Sequence, residues 1–251
     1  MTKRPRLLLI GTSLLLLAGA SSTQAAEIKI ISPSAYKDRE GEGGGGGGTS
    51  PVRYQAVFPA ADFAALDNKP HWLVGITFRP DQSVTSPHTF HDPDTELRLT
   101  TMPAGPPNLS LRFDDNLGSN FKHWARGPMT FVTDVAGPGP GPREFYNVIR
   151  PAGVTPYLYD PSQGNLLVDA IVRQQRSAPD RGDNVPGMLT ALTGSPTATN
   201  GARIPAGIFQ LTFIPVPEPS SLTLLAVMLV LGSLCRRATT TKTASSMPPT
   251  T

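Results

Sequence analysis

Apolar and polar side chains alternate with a period of two along much of the chain between residues 27 and 214. Residues 53–58 place Tyr54, Ala56 and Phe58 on one side, and residues 72–79 do the same with Trp72, Val74, Ile76 and Phe78. Residues 95–101 turn Leu97 and Leu99 one way, and residues 108–113 turn Leu109, Leu111 and Phe113. Such alternation is the pattern of a strand with one buried and one polar face. Residues 27–32 open the series, and 130–135, 145–149, 166–172 and 208–214 are further strand candidates. A single short helical pattern occupies residues 60–66, where Asp62 precedes Phe63 and Leu66.

Composition narrows the architecture. The 27 prolines and 24 glycines disfavour long helices and the central strands of a wound α/β sheet. The expected fold is all-β, an antiparallel β-sandwich of which a jelly roll is one form, with loops rich in Gly and Pro. Six consecutive glycines at 43–48 predict a flexible surface insertion over 41–48. They lack the spaced pattern and the Lys-Ser/Thr of a phosphate-binding loop. Residues 137–142 and 176–184 read as exposed loops, and no repeat of fixed period is present. A body of this length suffices for one hydrophobic core.

The two ends follow a different pattern. Lys3, Arg4 and Arg6 precede an apolar run over 7–17, which closes on Ala18-Gly19-Ala20, with Thr23-Gln24-Ala25 at cleavage positions. Residues 1–25 are therefore expected to be a secretory signal peptide, cut by signal peptidase after Ala25 or Ala26. At the other end Pro215, Pro217 and Pro219 alternate and keep the backbone extended. Ser220 and Ser221 then offer an N-cap to an apolar run over 222–234, followed by Cys235, Arg236 and Arg237. As a helix this run covers roughly 20 Å, less than the ~30 Å hydrocarbon core, which suits a temporary anchor. The arginines orient it with the Pro-Glu-Pro segment outside.

In order and spacing, Pro217-Glu218-Pro219, the membrane segment 222–235 and the Arg236-Arg237 pair resemble the PEP-CTERM sorting signal of bacterial exosortase substrates. The resemblance covers residues 215–237, and the polar tail 238–251 is longer than that family's usual ending. It implies recognition by an exosortase, cleavage near Pro217 to Pro219, and a precursor held transiently in the inner membrane before the body reaches the cell surface or a biofilm matrix. Parts of the body, namely 53–58 with 61–63, 76–79 and 159–167, are similar to uncharacterised exported proteins bearing that signal, and this implies no activity.

Removing both ends reverses the charge. The whole chain carries +3, but residues 26–216 hold 16 Lys plus Arg against 18 Asp plus Glu, a balance of −2. No clustered basic stripe remains, which argues against a nucleic-acid partner. The sole cysteine is Cys235, so stability must come from the core and not from disulfides.

Candidate chemistry in the body is sparse. His88 and His91 lie near Asp92, Asp94 and Glu96, but in a loop the two imidazoles need not converge on a metal; solvated loop residues are the simpler expectation. His71 and His123 stand apart from them. Asp92-Pro93-Asp94 and Asp114-Asp115-Asn116 offer oxygen ligands to calcium without matching a complete calcium loop. A glycosidase dyad needs a cleft that spacing alone does not show. No Gly-x-Ser-x-Gly elbow is present. Arg181-Gly182-Asp183 reads as solvated charge. Trp72, Trp124, Tyr157 and Tyr159 are the aromatics a sugar-binding face would use, although Trp72 follows core periodicity and Trp124 is expected to fold onto the sheet. Asp160-Pro161 predicts a turn, with Gly164-Asn165 accepting positive φ. The expectation is an exported, noncatalytic surface or matrix protein without cofactor. Its partners are the two processing enzymes, the membrane and extracellular polysaccharide. The alternative is a carbohydrate-binding protein or hydrolase on the same scaffold.

Overall fold

A computed structural model describes residues 26–41, 43–46, 48–103, 109–118, 121–135, 141–149, 155–185, 188 and 191–216. The expected signal peptide 1–25 with Ala25, the expected sorting residues Pro217, Glu218, Pro219, Arg236 and Arg237, and the tail 238–251 lie outside the described residues. Ala26 is described and exposed.

The strands expected from the alternating pattern, except that at 108–113, belong to an antiparallel β-sandwich. One sheet joins β1 (Ile28–Ser32), β14 (Phe209–Pro215), β4 (His71–Phe78) and β8 (Tyr157–Tyr159) in that order. The facing sheet runs β12 (Ala202–Ile204), β11 (Ala191–Gly194), β3 (Val52–Phe58), β9 (Asn165–Val172), β5 (His88–Met102), β6 (Lys122–Thr133) and β7 (Asn147–Ile149). A lateral sheet places β10 (Arg181–Val185) between β13 (Ala206–Gly207) and β2 (Gly43–Gly46). The main core lies between the two large sheets, where Leu73, Leu211 and Phe213 meet Phe58, Leu99, Leu166 and Val168. Phe63, from the short 3-10 segment Ala60–Leu66, packs edge-on against Tyr159 and Phe213 at ring distances of 5.0 and 5.7 Å. The face assignments for β3 and for Leu97 and Leu99 hold.

Bulges decide where the alternation fails. Between β14 and β4 the pairing passes from Thr212–Gly75 to Phe213–Leu73, so Val74 is an extra residue in β4. One extra residue flips the parity of everything beyond it. Ile76 and Phe78 therefore face the core as expected, but Leu73 replaces Trp72 and Val74 there, and Trp72 is half-buried at the surface. A second bulge sits at Pro93, where β5 has three steps from Asp92 to Thr95 against two on β6. The expected loop around His88 and His91 is thus the first half of a 15-residue strand. The proline is accommodated at the bulge, where ladder pairing is interrupted.

Three further expectations are corrected. The glycines 43–46 form an edge strand, because β10 provides a complete antiparallel partner from Arg181–Gly46 to Asn184–Gly43. The same pairing makes residues 181–185 a strand and not part of an exposed loop. The strand expected over 108–113 is not found among the described residues: 109–118 end in a single helical turn, α1 (Phe113–Leu117), that covers the outer face of the seven-stranded sheet. There Leu109, Phe113 and Leu117 meet Val57, Leu167 and Leu192, whereas Leu111 is 50% exposed.

Candidate functional site

The outer face of the seven-stranded sheet carries a buried ionic row. Gln55, Asp169 and Arg98 sit opposite one another on β3, β9 and β5. Asp169 is fully buried; Arg53 Nε donates to its Oδ1 at 3.0 Å and Arg98 Nε to its Oδ2 at 2.7 Å. Arg53 reaches on to the exposed Asp114 at 2.8 Å. One row further, Glu96 binds Arg173 and lies 2.7 Å from His123 Nδ1. Burial would push the Glu96 carboxyl up, but the Arg173 hydrogen bond and the Arg173, Arg98 and His123 charges together hold it below the usual range. All of these carboxylates are engaged by cations of the chain itself, an arrangement that holds strands together.

That engagement removes the calcium loops considered from sequence. Asp92 pairs with Arg176 Nε at 2.9 Å, Asp115 accepts from Ser110 Oγ, and Asn116 Nδ2 donates to Gln55. His88 Nε2 contacts Pro179 O at 2.9 Å and His91 Nδ1 contacts Thr130 Oγ1 at 3.0 Å, so the two imidazoles do not share a ligand. Buried His71 contacts Lys69 O at 3.0 Å. Trp124 is buried as expected, with Nε1 donating to Leu73 O at 3.3 Å. Tyr157 and Tyr159 are buried too: the first shares a hydrogen bond with Thr101, and the second donates to Gly164 O at 2.9 Å. They form no exposed sugar platform. The turn at 160–164 is built as expected. Asp160 Oδ1 accepts from Ser162 N, and Gly164 adopts φ 133°.

Two features lie outside those expectations. The first is an open groove of about 940 Å³ at the end of the sandwich where the chain enters β1 and leaves β14, lined by Ile28, Leu66, Trp72, Pro156, Ile214 and Val216. The second is a group of three carboxylates, Glu40, Asp81 and Asp183, whose oxygens lie within 4.8 Å of one another. Asp183 was expected to be solvated; it is instead buried at 1% exposure beside the equally buried Arg79. Arg79 Nε and Nη2 both donate to Asp183 Oδ2, at 3.0 and 2.9 Å, and the guanidinium also binds the carbonyls of Tyr36 and Arg39. Sequence reading missed this group because its members lie far apart in the chain and meet only where β10 pairs with β2 and with the 79–81 segment. Burial, reinforced by the neighbouring Asp183 charge, pushes the Glu40 carboxyl up, and burial pushes Asp183 up as well.

No protein family, curated protein or solved structure was found to match the chain.

Proposed function

We propose that this chain is an exported, noncatalytic β-sandwich delivered to the cell surface or extracellular matrix by exosortase sorting. The observation that carries this reading is the tail, where Pro217-Glu218-Pro219, an uncharged apolar run over 222–234 and Arg236-Arg237 follow one another in that order, separated only by Ser220-Ser221 and Cys235. The body is compatible with cutting at both ends. Ile28 pairs with Phe213 across β1 and β14, so the chain enters and leaves the sandwich at neighbouring positions. Signal peptidase acting at Ala25 or Ala26 and an exosortase acting near Pro217 to Pro219 would each leave the paired strands whole. In this reading the membrane helix is transient, and polysaccharide is the expected partner of the released body.

Replacing Pro217, Glu218 and Pro219 together with alanine tests the sorting step. The expected result is a protein of higher mass retained in the membrane fraction. Unchanged mass and release would exclude processing through this motif.

A second reading, a carbohydrate binder, is favoured by Trp72, half-buried beside the open groove, since a flat indole covers the apolar face of a sugar ring. A glycan array with wild type and Trp72→Ala decides it: specific binding lost in the variant supports a binder, and silence from the wild type removes it.

A further inference from the structure

The geometry points to a calcium site formed by Glu40, Asp81 and Asp183 in the lateral sheet. In each carboxylate one oxygen is occupied by a backbone amide: Gln82 N donates to Glu40 Oε1 at 2.9 Å, Ser83 N to Asp81 Oδ1 at 2.8 Å, and Gly41 N to Asp183 Oδ2 at 3.0 Å. The amides fix the three groups, and one oxygen from each lies within 4.8 Å of the others. Two of those oxygens, Glu40 Oε2 and Asp183 Oδ1, are buried without any hydrogen-bond partner. A buried carboxylate oxygen left unpaired is costly, and native structures satisfy nearly all of them. Arg79 does not remove the cost, because its hydrogen bonds go to Asp183 Oδ2 and to two carbonyls, and to neither unpartnered oxygen. Three carboxylates and one guanidinium leave two negative charges uncompensated, the charge of one divalent cation.

The surrounding backbone is shaped to this arrangement. A Cβ on Gly41 would lie 2.2 Å from Asp183 Oδ1, and one on Gly141 would lie 1.9 Å from Glu40 Oε2. Both glycines sit against the unpartnered oxygens, where any side chain would fill the space. The donors are all oxygen, with no imidazole or thiolate among them, which selects a hard cation. Calcium takes oxygens at about 2.3–2.6 Å and completes its shell with waters and carbonyls in flexible geometry. A separation of up to 4.8 Å between ligand atoms is what such an ion bridges across its centre. Bound there, calcium would tie the 36–41 segment, the start of the β4–β5 connection and β10 into one unit. This inference does not depend on the sorting signal or on any polysaccharide partner.

The test uses the full chain in detergent, stripped with a chelator and titrated with calcium chloride by calorimetry, with magnesium chloride as comparison. One calcium per chain is expected, together with a rise of several degrees in the melting temperature. Glu40→Gln and Asp81→Asn, both of which leave the Arg79–Asp183 pair in place, should each weaken binding on the order of tenfold or more, since ligand charge sets calcium affinity. Absence of a stoichiometric calcium in the wild type would overturn the site whatever the variants do. Equal binding by wild type and both variants would place the ion elsewhere, and tighter magnesium than calcium binding would overturn the choice of ion.

Discussion

Asp169 shows how a single side chain can organise a sheet face. It is fully buried on the strand between those of Arg53 and Arg98, and accepts from both. Asp169→Asn would leave two guanidiniums underneutralised in a place closed to water, and breaking a buried pair from one side typically costs about 3–5 kcal/mol. Asp114→Asn removes a carboxylate whose side chain is 72% exposed, and should cost no more than about 1 kcal/mol. Urea denaturation of the two variants should separate them clearly. Glu96 adds a pH dependence. Its carboxyl is held below the ordinary range by Arg173 and the neighbouring charges in spite of burial. A carboxyl with a depressed folded value stabilises above its unfolded value, about 4.3, and loses that contribution as pH falls through the folded one. The difference in urea midpoint between wild type and Glu96→Gln should therefore be full at pH 6 and shrink steadily below about pH 4; a constant difference would contradict it.

At the scale of elements, the decisive features are those that break an alternating pattern. Residues 108–113 read as a strand because Leu109, Leu111 and Phe113 are spaced by two. Their fate depends on the neighbouring surface: the outer face of β3, β9 and β11 presents Val57, Leu167 and Leu192, and the segment covers it by folding Phe113 into a helical turn. Phe113→Ala should accordingly cost about 3–5 kcal/mol, while Leu111→Ser, at a half-exposed position, should change stability by no more than about 0.5 kcal/mol. Equal losses would restore the strand assignment. The turn before β9 makes a similar demand on Gly164, whose φ is 133° and whose missing Cβ would lie 2.6 Å from Met102 O. Gly164→Ala should destabilise by about 1–3 kcal/mol in thermal melts. That turn was legible in the sequence because Asp-Pro and Gly-Asn act locally. The bulge at Val74 was not, because it is a property of the pairing between β4 and β14 and leaves no mark on β4 alone.

For the whole molecule, the placement of the ends matters most. β1 begins at Ile28 and β14 ends at Pro215, and the two are paired. Removal of residues beyond the Pro-Glu-Pro motif takes away no backbone hydrogen bond of the described sheets. The chain with and without residues 220–251, compared in the same detergent, should therefore share one unfolding free energy in urea to within about 0.5 kcal/mol. A large loss on this truncation would mean that the tail contributes to the body. No helix among the described residues is long and apolar enough to cross a membrane.

The sequence by itself determined the fold class, most strand positions and the acidic balance of residues 26–216. These follow from period-two alternation, turn-forming residues and the count of charges. Tertiary structure alone decided which face each bulged strand presents, that the glycine run becomes a strand, and that Glu40, Asp81 and Asp183 share one pocket of charge. Parity across a bulge depends on a partner strand, an edge strand needs a neighbour to accept its hydrogen bonds, and carboxylates far apart in the chain acquire their chemistry only when folding removes them together from water.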